Sequence, residues 1–368
     1  FTTLYHLIFV VKIKIIMNVC ILGDGLTSLS LAKALVNLEI NVDVISYKKI
    51  NKLDKTRTIG LSRSNIDFFN KNIINIDKLL WKIKKITIFN DNSKNDELIN
   101  FDNNKKYLFA TIKNKEFYNL LYSNLIKSKI FRFKNKLSLS KYDLIINCDP
   151  KNIITKKFFF RNIKKDYDSF AYTTIIEHKK LINNDTAMQI FTKQGPLAFL
   201  PLSNTKTSIV YSYKGKKISN IFELIKFYNK NYSIKKFNEY KTFELKSSNL
   251  RNYYHQNILA FGDLLHKIHP LAGQGFNMSV RDIKELIKIV RFKINHGLSL
   301  DSSVCMDFEK NTKHKNYIFS NSVDFLYEFF NFERKIKSNI LSKSIKFLGA
   351  QKSTNKIFTE LADNGILF

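Results

Sequence analysis

The sequence predicts an α/β fold, and three stretches carry that prediction. Residues 18–45 run strand, glycine turn, helix, strand. Residues 257–290 run strand, glycine-rich turn, long helix. Between them, over residues 170–246, apolar side chains fall in the short runs that make strands. The chain has 368 residues, 44% of them hydrophobic, which suffices for two domains or for one domain with a large insertion.

The fold is read as starting at Met17, with residues 1–16 treated as an upstream extension. Their apolar end lacks the small-residue site at which a secretory signal is cleaved. Asn18-Val19-Cys20-Ile21-Leu22 is a short apolar run closed by glycine, the pattern of a buried strand. Leu29, Ala32, Leu35 and Leu38 then recur at helical spacing, and Val42-Asp43-Val44-Ile45 is a second strand. A strand, glycine turn, helix and strand in about thirty residues open a dinucleotide-binding βαβ unit. Strands are expected at 83–89 and 106–112, and a helix at 116–127. Residues 142–149 read as a buried strand ending in an acid. Turn signals at Asn183-Asn184-Asp185 and Ser203-Asn204 divide the strand-rich region. Residues 257–261 form a strand that feeds a glycine-rich turn. A helix starts near Gly275 or Phe276 and passes Val290, and residues 307–348 read as amphipathic helix.

Charge narrows the partners. The formal net charge is +30, which by itself suggests nucleic acid, but the split is 53 Lys against 8 Arg. Surfaces that read bases or clamp phosphates favour the planar fork of Arg. Lys, Asn, Ile and Phe are abundant along the whole chain, as AT-rich codons dictate, so genome composition explains the basicity and no nucleic-acid partner is expected. A basic surface does suit anionic lipid headgroups, which leaves peripheral contact with an inner membrane open. Cys20, Cys148 and Cys305 are odd in number and far apart, giving neither a disulfide framework nor a zinc site; a reduced, cytoplasmic setting follows.

In the first glycine turn, Gly23 allows a tight bend and Gly25 lets backbone N–H groups approach a pyrophosphate at a helix N-terminus. Ser28 stands where a third glycine is usual. Ser46 stands at the end of the second strand, where an acid would hold a ribose hydroxyl. The second segment is richer. The strand 257–261 delivers Gly262 and Asp263, an acid that can accept bonds from a polyol. Pro270-Leu271-Ala272-Gly273-Gln274-Gly275 then exposes backbone N–H groups at a helix start, where negative charge is stabilised.

This segment, from Gly262-Asp263-Leu264-Leu265-His266 to Gly273-Gln274-Gly275-Phe276-Asn277, resembles the second flavin motif of class A flavoprotein monooxygenases, G-D-A-A-H-x-x-H-P-x-A-G-Q-G-x-N. Within them it is similar to the ubiquinone-biosynthesis hydroxylases. The block Gly195-Pro196-Leu197-Ala198-Phe199-Leu200-Pro201-Leu202 matches that family's G-P-L-A-x-L-P-L. Thr56-Arg57-Thr58-Ile59-Gly60-Leu61-Ser62 and Trp81 fall where the family has D-x-R-x-x-A-L-S and a tryptophan.

The resemblance implies a Rossmann-like FAD-binding domain of the para-hydroxybenzoate hydroxylase type, discontinuous over 17–80, 113–150 and 248–300. It also implies a mainly β substrate domain over 81–112 and 151–247, and a helical C-terminus over 301–368. Gly23 and Gly25 would meet the FAD pyrophosphate, Asp263 the ribityl chain, and Gly273, Gln274, Gly275 and Asn277 the flavin ring. Arg57 would lie beside the cofactor and Pro270 would shape the flavin-facing wall. The implied activity is hydroxylation of a polyprenylated phenol through a flavin C4a-hydroperoxide, with NAD(P)H as donor and O2 as co-substrate. Other ubiquinone-biosynthesis proteins are implied as partners. No catalytic base is assigned.

Several positions depart from the pattern. The family's Asp-Gly pair reads Cys148-Asp149-Pro150 here, and proline removes a backbone donor. Leu264 and Leu265 replace two alanines. A non-catalytic flavoprotein of the same assembly is therefore a rival reading. His266 and His269 have no carboxylate beside them in sequence and are read as structural. His178, His255 and His314 are read as surface residues. Phe-rich residues 319–332 suit either a core-facing helix or a lipid-entry face.

Overall fold

The computed structural model describes residues 17–46, 57–90, 97–102, 107–269 and 273–336. The upstream extension, Thr56, Pro270, Leu271, Ala272 and the chain after 336 lie outside them.

A six-stranded sheet forms first. Its centre is β1 (Asn18–Leu22), flanked by β2 (Asn41–Ile45) and β9 (Leu144–Asn147), all parallel. Beyond β2 lies β8 (Phe131–Lys134), and beyond β9 lies β17 (Ile258–Ala260), with β16 (Tyr254–His255) as a hairpin edge. Strands covered on both faces need continuous apolar runs rather than alternation. Accordingly Val19, Cys20, Ile21 and Leu22 are all buried, as are Leu144, Ile145 and Ile146. Helix α1 (Leu26–Val36) is buried nearly all round, between the sheet, α3 (Asn114–Leu125) and α6 (Gln274–Asn295). The inward stripe of α6, Val280, Ile283, Leu286, Ile287 and Val290, keeps helical spacing and joins the same core.

A three-stranded antiparallel sheet sits beside this layer: β3 (Thr58–Ser62), β7 (Phe109–Lys113) and β4 (Trp81–Ile83), with α2 (Arg63–Asn72) following β3. The expected strand at 83–89 is thus two strands, because Lys84 separates β4 from β5 (Lys85–Asn90) and each joins a different sheet.

The third sheet has nine strands. Its spine is β10 (Asn162–His178), paired with β13 (Lys206–Lys214), β14 (Ile234–Phe237) and β15 (Lys241–Leu250). Next to β13 come β12 (Gly195–Ser203), β11 (Thr186–Thr192), β5 and β6 (Glu97–Asp102), while β18 (His266–Lys267) extends β15. Strands were expected throughout 170–246, but helix α5 (Ile221–Tyr228) interrupts them. Its Ile221 and Ile225 are one turn apart and close over Tyr172, Phe199 and Tyr211 of the sheet. A short apolar run does not distinguish such a helix from a strand.

Short α4 (Ile153–Phe158) follows β9, and α7 (Ser302–Ile336) crosses between layers. Val323 packs with Phe191, Ile268 and Met278, and Tyr327 with Tyr167, Ala171 and Leu245. Of the Phe-rich stretch, Phe319 joins the first of these clusters while Phe325 is exposed. No helix among the described residues is long and apolar enough to cross a membrane.

Two histidines depart from the surface reading. His178 is buried, with its ring nitrogens bonded to the Lys179 carbonyl (2.9 Å) and Thr207 Oγ1 (3.1 Å). His255 stacks on Phe158 at 4.0 Å, and only His314 is fully exposed.

Gly195 explains the start of the Gly-Pro-Leu-Ala block. Its φ is +141°, and a Cβ there would sit 2.0 Å from the Ser212 carbonyl oxygen across the sheet. Gly195→Ala should therefore destabilise the protein by about 3 kcal/mol or more, read as a lower urea midpoint.

Asp301 caps α7. Its carboxylate accepts the Ser303 hydroxyl, the Ser299 hydroxyl and the Ser303 N–H, and these donors pull its pKa down to about 2. A carboxyl depressed by folding stabilises above its unfolded pKa and loses that contribution as pH falls toward the folded one. Asp301→Ala should cost about 1 kcal/mol at pH 7. The gap to wild type should shrink as pH drops from about 4 to about 2 in acid-denaturation titrations.

Candidate functional site

Two turns meet at the carboxyl edge of the six-stranded sheet, each made by a glycine at positive φ. Gly23 follows β1 at φ +100° and donates its N–H to the Ile45 carbonyl at 2.9 Å. A Cβ on it would lie 3.4 Å from Asp149, the acid after β9. Gly262 follows β17 at φ +62°, and its Cβ would press within 3.1 Å of Thr27 in the first turn of α1. The glycine turn of the N-terminal unit and the second motif, over two hundred residues later, thus share one edge.

Around this contact the cleft is built from backbone and carboxylates. Gly25 is the N-cap of α1 and is exposed, and among the described residues nothing lies within 4 Å of where its Cβ would be; the same holds at Gly275 in the first turn of α6. Each helix start carries free N–H groups with partial positive charge. Asp263 stands exposed in the one-turn 3-10 helix Gly262–Leu264, with no hydrogen-bond partner among the described residues. Gln274 Oε1 is a buried oxygen without a partner.

Other predicted residues serve the walls. Ser28 is buried close to the Cys148 thiol, whose pKa burial pushes up to about 12. Asp149 is held by its own loop: its N–H goes to Asn147 Oδ1 (3.1 Å), Oδ1 accepts the Lys151 N–H (2.9 Å) and its carbonyl accepts the Thr155 hydroxyl (2.7 Å). Ser46 lies at the end of β2 and donates to Asp24 Oδ2 at 2.6 Å. Arg57 is exposed just before β3.

Asn277 is buried and fully engaged. Its Oδ1 accepts from Ser62 N–H (3.0 Å) and Asn65 Nδ2 (2.9 Å), and its Nδ2 donates to the carbonyls of Gly60 (2.9 Å) and Gly273 (3.4 Å). It locks the N-terminus of α6, entered through Gly273 at φ +64°, against β3 and α2. Any contribution to a cofactor comes through the backbone it fixes.

Sequence reading missed two features. His266 has a carboxylate after all: Asp282, sixteen residues on, lies at 2.5 Å, and Asn316 of α7 bonds the other oxygen at 3.0 Å. Helical spacing places Asp282 on the inward face of α6, but pairing it with His266 requires the fold. Asp24 sits inside the glycine motif and reads there as a spacer. His269 closes the described chain before residue 270. Burial foremost, then Lys165, lowers its pKa to about 3, so the ring is neutral as it packs on Tyr167 (4.9 Å) and Tyr327 (4.3 Å).

Residues 223–296 match the family described as "FAD binding domain". The mitochondrial ubiquinone biosynthesis monooxygenase of Schizosaccharomyces pombe is 23% identical over 275 residues, 61% of this chain and 57% of that protein. Its Dictyostelium discoideum counterpart is 23% identical, covering 86% of this chain and 84% of the relative. The 3-demethoxyubiquinol 3-hydroxylase of Escherichia coli is 27% identical over 40% of each. Among solved structures, p-nitrophenol 4-monooxygenase from Pseudomonas putida superposes with a TM-score of 0.76 at 11% identity, covering 96% of this chain and 99% of that one. The FAD and uric acid complex of Klebsiella pneumoniae HpxO gives 0.72 at 11%, covering 94% and 97%. The chain is thus similar to flavoprotein monooxygenases of ubiquinone biosynthesis, and its match to an FAD-binding family covers residues 223–296. The solved neighbours share its fold, and the match spans only about half the length of some curated relatives, as with Danio rerio at 47%.

The Asn277 network is the structural core of the second glycine-rich segment. Asn277→Ala leaves three backbone groups and the Asn65 amide without this side-chain partner. It should lower stability by about 3 kcal/mol in urea unfolding, with far-UV dichroism unchanged at zero denaturant.

Proposed function

We propose that the chain binds FAD in this cleft and, with NAD(P)H and O2, hydroxylates a polyprenylated phenol on the route to ubiquinone. The observation that carries this reading is the pair of open glycines, Gly25 at the N-terminus of α1 and Gly275 in the first turn of α6, together with the meeting of Gly262 and Thr27 at the sheet edge. The residues fit the group. A pyrophosphate suits the N-terminus of α1, where Gly25 leaves room for it. Exposed Asp263 suits the hydroxyls of a ribityl chain, and the unpartnered Gln274 oxygen suits an N–H donor of the flavin ring.

FAD supplies the redox and oxygen-activating chemistry once bound. The chain's own part is positioning and exclusion of water. The N-terminus of α6 favours negative charge on the reduced ring's pyrimidine edge. The rings of Tyr167 and Tyr327 pack on His269, shortly ahead of α6 in the sequence, fixing the chain there. The family's naming after ubiquinone biosynthesis supports a phenol with a long apolar tail, and a basic surface supports peripheral contact with the membrane that holds such tails.

One observation favours a second reading. Asp149 is tied into its own loop and followed by Pro150, so this segment offers less to a nicotinamide than an Asp-Gly pair would. That suits a flavoprotein with weak or lost turnover.

Purified protein should carry FAD at about one per chain, and Asp263→Ala should weaken FAD binding about 10- to 100-fold in fluorescence titrations, the loss of bonds to a charged acceptor. NAD(P)H oxidation coupled to a hydroxylated prenylphenol supports the enzyme. FAD that stays oxidised in NAD(P)H points to the second reading, and protein that binds no flavin overturns both.

A further inference from the structure

Adenine dinucleotides are usually gripped at the ribose by an acid at the end of the second strand of a βαβ unit, and this chain has Ser46 there. The acid has a substitute in space. Asp24 lies between Gly23 and Gly25, and the turn is pinned to the end of β2 by the bond from Gly23 N–H to the Ile45 carbonyl. That bond brings Asp24 over the strand end, where its Oδ2 accepts the Ser46 hydroxyl at 2.6 Å. The carboxylate therefore occupies the edge that an acid at position 46 would occupy, reached from the turn rather than from the strand.

Three further facts define what this carboxylate can do. It is half-buried and, among the described residues, makes no ion pair, in a chain of net charge +30. Its Oδ1 has no hydrogen-bond partner among the described residues. It also lies close enough to the Tyr118 hydroxyl of α3 to help burial raise that phenol's pKa to about 12. A carboxylate beside a pyrophosphate turn repels the phosphates. Such a position is tolerable when the carboxylate faces neutral hydroxyls and the phosphates face the N–H groups at Gly25. A vicinal diol is the ligand that fits. One hydroxyl can donate to Oδ1, while Ser46 holds the other oxygen and fixes the carboxylate plane.

We infer that Asp24, oriented by Ser46, is the ribose-diol acceptor for the adenosine half of the bound dinucleotide. The assignment rests on the FAD reading and adds to it the residue that distinguishes FAD from FMN. FMN ends at its phosphate and has no ribose to offer. A 2′-phosphorylated ribose is disfavoured at the same place, because its charge would face Asp24.

The experiment is a fluorescence titration of the full chain, stripped of flavin, with FAD and separately with FMN. Variants are Asp24→Ala, Ser46→Ala and the double variant Asp24→Ala/Ser46→Glu. Asp24→Ala should weaken FAD about 10- to 100-fold and leave FMN affinity within about twofold, with Ser46→Ala smaller in the same direction. The double variant, which returns an acid to the strand end, should recover most of the FAD affinity. Wild-type FAD affinity in Asp24→Ala overturns the assignment. So does an equal loss for FAD and FMN, since that marks Asp24 as a support of the turn. A double variant as weak as Asp24→Ala also counts against a shared ribose position and overturns it. Wild-type protein that binds neither flavin overturns the FAD reading itself, and this assignment with it.

Discussion

Backbone-to-backbone approach at one sheet edge is the constraint on which the rest depends. Gly23 lies in van der Waals contact with Asp149, and Gly262 closes on Thr27, so the turns after β1 and β17 meet. Positive φ at both glycines makes the bend, and at Gly262 the missing Cβ leaves room for Thr27. The parallel sheet brings the ends of β1, β9 and β17 to the same height, so three distant segments supply the cleft without a long loop. The nine-stranded sheet meets the three-stranded one through β12, and α7 packs on α6 and on β16 and β17.

Electrostatics inside the cleft run against those of the whole chain. The surface is strongly basic, yet the residues gathered at the edge are carboxylates: Asp24, Asp149 and Asp263. No ion pair to Lys or Arg is formed by any of them among the described residues. Positive potential for phosphates comes instead from two helix N-termini, whose N–H groups are fixed in direction and need no flexible side chain. Carboxylates then remain for hydroxyls. Such a division suits a ligand that alternates polyol and phosphate, and it needs little from the lysines that dominate the composition.

What the sequence made legible was whatever is encoded locally. The β1–α1–β2 unit, the strand into Gly262 and the start of α6 each rest on a glycine or an apolar run within a few residues, and the structure has them. Helix α5 was hidden because eight residues with apolar side chains on one face read equally as strand. His178 was misplaced because its burial comes from β13 and a loop, through Thr207, rather than from its own neighbours. His266 with Asp282, and Ser46 with Asp24, are pairs made by the fold across 16 and 22 residues. Polar residues have no periodicity to betray them, so their partners emerge only when the elements are packed.

That lesson changes how the departures from the family pattern are weighed. Read along the chain, Ser28, Ser46 and Pro150 are three independent losses. In space, one of them has acquired a partner and one is buried: Ser46 donates to Asp24, and Ser28 packs in the wall close to Cys148. Pro150 is exposed in a turn that Asn147, Asn152 and Thr155 already tie down, so its fixed φ meets little resistance there. A site decaying without constraint would leave orphaned polar groups where its motif residues changed. Ser46 is instead hydrogen-bonded at the sheet edge, and among the motif residues Gln274 Oε1 is buried without a partner among the described residues, which suits the proposed flavin.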